Sequence, residues 1–96
     1  LAELGRPEHV EVIRVRCASP DAAVRATALR ALGTLAHEED RLRLLGAMAD
    51  PSPWVAMSAA RGLVAGGGGR LLEDLSESDH PRATLAAEIL EEDTNP

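Results

Sequence analysis

Ser19-Pro20-Asp21-Ala22-Ala23-Val24-Arg25-Ala26-Thr27-Ala28-Leu29-Arg30-Ala31-Leu32-Gly33-Thr34-Leu35 is the stretch whose periodicity decides the fold class. Within it Val24, Ala28, Ala31, Leu32 and Leu35 fall at i, i+4, i+7, i+8 and i+11, one stripe along an α-helix. Ser19 before Pro20 reads as an N-cap followed by proline at the first helical position, where the missing N–H costs nothing. Ser52 before Pro53 repeats the device further along the chain.

Sliding the chain against itself by 31 residues lays Leu1 on Leu32, Leu4 on Leu35, Glu8 on Glu39, Ala18 on Ala49 and Pro20 on Pro51. Val24 then meets Val55, Ala28 meets Ala59, Arg30 meets Arg61 and Leu32 meets Leu63. A third copy fits at an offset of 27, with Ala59 on Ala86, Ala60 on Ala87 and Leu63 on Leu90. The matches are mostly apolar residues or proline, the types that set packing and helix starts. Shorter stripes run through Val10, Ile13 and Cys17, through Leu42, Leu45 and Ala49, and through Leu71, Leu72 and Leu75, while no segment sustains strand alternation. The pattern predicts helices over about 7–18, 20–36, 38–49, 53–65, 69–77 and 81–92, with Leu1–Gly5 as the tail of an earlier helix.

A helix pair of this size cannot bury its apolar stripe alone, so pairs must stack. The expected fold is all-α: an α-solenoid of stacked antiparallel helix pairs, about three repeats, the first truncated. The expected organisation is one domain over 1–96, divided into a partial repeat (1–18), two repeats (19–49 and 50–77), a C-terminal capping helix (78–93) and a tail (94–96). Alanine at 28, 31, 59, 86 and 87 lets helices approach closely, which is how a chain with one Trp and no Phe or Tyr can still form a core.

Composition narrows the function classes. At 96 residues the chain holds one core, and 45% hydrophobic with 27% charged residues is ordinary for a folded globular chain. No apolar run reaches the roughly 18 residues of a membrane-spanning helix, so no membrane insertion is expected of this segment. The single Cys17 builds no internal disulfide, and no Cys/His cluster has zinc spacing. The chain opens on Leu1 with no basic-then-apolar leader, so the expectation is a piece of a longer, cytoplasmic protein. All ten basic residues are Arg, which with abundant Ala, Gly and Leu fits GC-rich bacterial coding. Residues 1–69 are charge-balanced, so residues 70–96 carry the whole formal charge of -6. That acidity, with no Lys and no stacking aromatics, argues against a nucleic-acid partner.

The segment Ser19-Pro20-Asp21-Ala22-Ala23-Val24-Arg25, followed by Ala28, Ala31, Leu32 and Gly33, resembles the HEAT-like repeat of the phycobilisome-lyase type, which reads Asp-Pro-Asp-Pro-x-Val-Arg and then Ala-Leu-Gly. Asp50-Pro51-Ser52-Pro53-Trp54-Val55 is a second match, with Ala56 where Arg is usual; in the third copy Arg82 stands for the Val. The resemblance implies a non-enzymatic scaffold for a protein partner, without cofactor. The alternative is a fragment of a bilin lyase, which attaches a tetrapyrrole to a protein cysteine. It also implies that Arg25 pairs with Asp21 or Asp50, and that the second helices of the pairs line the concave side.

Candidate partner contacts follow. Arg14, Arg16 and Arg43 lie on second helices, either as solvated charge or as an anion-binding patch. Trp54, the sole aromatic, either packs against the neighbouring repeat or forms an exposed contact. Glu88, Glu91 and Glu92 form either a solubilising cap or a docking surface for a basic partner. His37-Glu38 falls at a turn. The HEAT-like deoxyhypusine hydroxylases carry such pairs just after the Val-Arg, where this chain has Ala26-Thr27, Met57-Ser58 and Thr84-Leu85, so no metal site or catalytic residue is expected. His9 and His80 read as surface residues and Cys17 as core. Gly66-Gly67-Gly68-Gly69 lacks a Gly-Lys-Ser/Thr ending and reads as a loose, mobile turn rather than a phosphate cradle.

Overall fold

Short links between amphipathic segments force neighbouring helices to run antiparallel, and that is the arrangement found. The computed structural model describes residues 7–94, with side chains from Val10 to Asp93. Six α-helices follow one another: α1 (Pro7–Arg16), α2 (Ala22–Leu35), α3 (Arg41–Gly46), α4 (Pro53–Ala65), α5 (Gly69–Ser76) and α6 (Ala83–Thr94). Single 3₁₀ turns, Glu38–Asp40 and Ala47–Ala49, extend α3 at both ends. No strand occurs among the described residues, so the all-α expectation holds. The expected helix tail at Leu1–Gly5 and the side chain of His9 lie outside the described residues.

α2, α4 and α6 form one row, α2 packing on α4 and α4 on α6, with α1 set against α2, α3 against α4 and α5 against α6. Glycine makes the α2–α4 contact possible. A Cβ on Gly33 would fall on the backbone of Gly62, and one on Gly62 would sit 3.0 Å from Leu29 O. Around this crossing Leu29, Leu32, Met48, Val55, Leu63 and Leu72 are fully buried, with Leu44 and Ile89 closing the sides.

The starts of α2 and α4 obey the 31-residue register, and this corrects one reading. α4 begins as expected: Ser52 caps it by accepting from Val55 N (3.4 Å), with Pro53 in the first turn. α2 begins at Ala22, and its cap is Asp21, which accepts from Ala23 N at 2.8 Å. Pro20 matches Pro51, and both precede the cap. Ser19 matches Asp50, and each accepts the backbone N–H two residues on, from Asp21 at 3.1 Å and from Ser52 at 2.9 Å. The helix ends match too: Ala36 (φ 59°) and Gly67 (φ 82°) are equivalent left-handed closing residues.

The glycine run is therefore a closed turn rather than a loose one. Gly67 N donates to Val64 O and Gly68 N to Leu63 O, the paired bonds of a Schellman cap. Gly66 and Gly68 are buried, the former beneath the Gly33 carbonyl, and Arg41 Nη2 donates to Gly66 O at 3.3 Å.

Two stripes are also corrected. In α3 and the 3₁₀ turn that follows it the buried pair is Leu44 and Met48, whereas Leu42 and Ala49 are exposed. The segment offers apolar residues on two faces, and contact with α4 selects the face bearing Leu44. Val24 is exposed although its equivalent Val55 is fully buried. Val55, Ala59 and Gly62 are all buried on α4, whereas of their equivalents on α2 Ala28 is buried, Ala31 is half-buried and Val24 is exposed.

Leu63→Ala and Leu32→Ala should each cost about 2–5 kcal/mol, the usual range for truncating a packed leucine. Gly33→Leu should be more damaging than either, because backbone and not a movable side chain stands in the way. Chemical denaturation followed by circular dichroism measures all three.

Candidate interaction surface

The arginines of the chain divide into those consumed by the fold and those left facing outward. Arg25 takes Asp50 in a two-pronged contact (Nε–Oδ2 2.9 Å, Nη2–Oδ1 3.1 Å) and donates its third bond to Ser19 O at 2.8 Å. Of the two partners considered for Arg25, Asp50 is the one observed; Asp21 is occupied as a cap. Arg82 completes the cross-tie by donating to Asp50 O at 3.0 Å. Burial works against the Asp50 carboxylate, but it is outweighed by the hydrogen bonds from Arg25 and Ser52 N and by the charges of Arg25 and Arg82. Its pKa therefore ends below the ordinary aspartate value.

Arg14 does the same one link earlier, and this corrects its reading as solvated charge or anion site. Its guanidinium grips Asp40 through two bonds of 2.9 Å, with Glu11 at 2.7 Å and Glu39 at 3.2 Å. The bonds to Asp40 and then Glu11 raise its already high pKa. Asp40 is only 2% exposed, a buried carboxylate that sequence reasoning did not single out. The available signal was spacing: Arg14 and Asp40 lie 26 residues apart, Arg25 and Asp50 25.

The other six candidates face solvent. Arg16 is exposed on α1, at the mouth of an apolar groove of about 330 Å³ lined by Ile13, Val24, Thr27 and Ala31. Arg43 is half exposed on α3, with Nε 3.7 Å from Asp40 Oδ1. Trp54 is 54% exposed on the first turn of α4, so its ring is only partly covered by the fold. Glu88 projects from α6, as do Glu91 and Glu92, and Glu92 also ties back to Arg61 at 3.1 Å. The sequence reading missed the most exposed apolar side chains, Val15 at 71% on α1 and Leu42 at 72% on α3. The stripe analysis had assigned Leu42 to the core.

The remaining polar candidates are structural. His37 precedes the 3₁₀ turn, with Nδ1 3.9 Å from Glu39 Oε1, and His80 Nδ1 accepts from Arg82 N at 2.9 Å where the chain enters α6. No group of three or more His, Cys, Asp or Glu that could hold a metal ion occurs among the described residues. Cys17 is half-buried against the core; burial raises its pKa, opposed in part by Arg43, so its thiol stays protonated near neutrality. No described helix is long and apolar enough to cross a membrane.

This alternation of capped helices, crossed through glycine and tied by arginine to aspartate, is matched by a family model of HEAT repeats over residues 1–64. The chain belongs to the HEAT repeat family. No curated protein and no solved structure matched the chain. Within this HEAT chain the matched region ends inside α4, so α5 and α6 lie beyond it, in the segment 70–96 that carries the whole formal net charge of -6.

The lowered pKa of Asp50 has a definite pH signature. Its contribution is fully present above the unfolded aspartate value of about 3.9 and disappears as pH falls through the lower folded value. Melting temperatures taken from pH 7 down to pH 2.5 should therefore drop steeply below about pH 4. Asp50→Asn should be less stable at pH 7 and show a shallower acid limb. Arg25→Ala should cost about 1–3 kcal/mol at pH 7, the penalty for stranding a charged hydrogen-bond partner.

Proposed function

We propose that the chain is a non-enzymatic HEAT scaffold that holds a protein partner against the face formed by α1 and α3. HEAT repeats are commonly protein-interaction modules. The observation that carries the reading is the exposure of Val15 and Leu42, about seven-tenths each, on the two helices that also carry Arg16 and Arg43. Apolar side chains left open beside arginine are the composition of an interface centre, where arginine and bulky apolar groups are enriched. Val12, also exposed on α1, extends the face, and Trp54, exposed on the first turn of α4, is a further contact offered for the partner.

The scaffold itself supports this use. Arg14 and Arg25 are consumed by Asp40 and Asp50, so the backbone under the exposed residues is cross-tied. A surface held in one arrangement before binding loses little conformational entropy when it docks.

The test uses a partner identified by cross-linking from a photoreactive residue at position 42 and then purified. Calorimetry with the purified pair should show binding weakened by about tenfold or more in Val15→Ser/Leu42→Ser. Trp54→Ala should weaken binding further. The melting curve of the double variant should stay within a few degrees of the parent, because neither side chain supports the core. Unchanged affinity in the double variant would remove this face from the interface.

A further inference from the structure

A second groove lies at the other end of the molecule, between α5 and α6. Its volume is about 540 Å³, which falls within the range of true binding clefts, roughly 300–1,000 Å³. Ala87 and Leu90 form its apolar floor, with Glu73 and Glu77 on the α5 side and Glu91 and Asp93 on the α6 side. Arg70 is the one cation in its lining. The other arginine of this region, Arg82, is turned away to Asp50 O and neutralises none of the rim.

We propose that this groove docks a basic amphipathic helix of a partner protein. The inference rests on the scaffold reading and adds a second contact, on a different face, with the partner's chemistry stated. Two features select the occupant. A trough between two helices takes a third by seating its apolar ridge, the helix-in-groove mode of recognition. The flanks then determine the sign of charge the occupant carries on either side of that ridge. Because residues 70–96 hold the entire net charge of -6, the field outside the groove attracts a cationic segment before contact. An apolar floor distinguishes this from simple attraction to an acidic surface: binding requires the partner's apolar stripe as well as its arginines.

The probe is a fluorescent peptide of about 18 residues, long enough for a stable amphipathic helix, with leucine at i, i+3, i+4 and i+7 spacing and arginine elsewhere. Anisotropy should show saturable binding that weakens by about tenfold or more between 50 and 300 mM salt. Two control peptides define the requirements: an Arg/Ser peptide of equal charge without the leucine stripe, and a Glu-for-Arg peptide keeping it. Both should bind at least about tenfold more weakly. Ala87→Arg, which blocks the floor, and Glu73→Arg/Glu77→Arg, which reverses one rim, should each cause a similar loss with circular dichroism unchanged. The rim variant involves only exposed side chains, so the test survives if Ala87→Arg fails to fold. Val15→Ser/Leu42→Ser should bind the peptide like the parent, which separates this groove from the α1–α3 face. Equal binding of the Arg/Ser peptide, or binding indifferent to both groove variants, overturns the proposal while leaving the scaffold reading standing.

Discussion

The crossing of α2 over α4 at Gly33 and Gly62 sets the dimensions of everything around it. With no side chain on either residue, backbone meets backbone, and a Cβ on Gly33 would overlap the opposing helix. At this spacing Leu29 and Leu63 are both enclosed, and Val55, Ala59 and Ala60 are fully buried although they are small. A core normally built from aromatics is here built from close approach. Dispersion contacts grow with the number of atoms brought within reach, so short interhelical distances compensate for small side chains.

That spacing also allows arginine to work as a cross-tie. Arg14 spans from α1 to Asp40 at the start of α3, and Arg25 spans from α2 to Asp50 ahead of α4. Arg82, just ahead of α6, reaches back to the backbone of the same Asp50, and Arg41 holds the turn after α4. The planar guanidinium forks onto both carboxylate oxygens and still has a donor for a carbonyl, which a lysine ammonium cannot match in geometry. Such ties between partly buried groups contribute less to net stability than their number suggests, because desolvation offsets much of the attraction. Their larger effect is on register, since an unpaired Asp40 or Asp50 would be penalised in any other stacking.

A division of surfaces follows. Where α1 and α3 face outward, the fold has used Arg14 and left Arg16 and Arg43 beside open apolar side chains. At the far end α5 and α6 carry an excess of acids over arginines, and Glu92 is drawn back to the body of the molecule by Arg61. Acidic residues line the groove between these helices and give it a sign. A cap and a docking surface are thus compatible uses of one charge distribution.

The 31-residue period, the helical class and the identity of the repeat were legible in residue types alone. Cap residues, prolines and closing glycines act locally, through the chain's own backbone, so their meaning needs no partner. Even the corrected start of α2 was implicit in the period, which pairs Asp21 with Ser52. Burial was not legible in the same way. Val24 and Val55 occupy one position of the repeat, yet one is open and the other fully enclosed, because a neighbouring helix and not the valine decides. The periodicity put Leu42 on the core stripe, but contact with α4 encloses Leu44 and leaves Leu42 open. Arg14 and Arg16 were alike as charges, but only Arg14 lies within reach of Asp40, 26 residues away in sequence. Residues that act through distant neighbours acquire their roles when the helices stack, and the exposed surface is what that stacking leaves over.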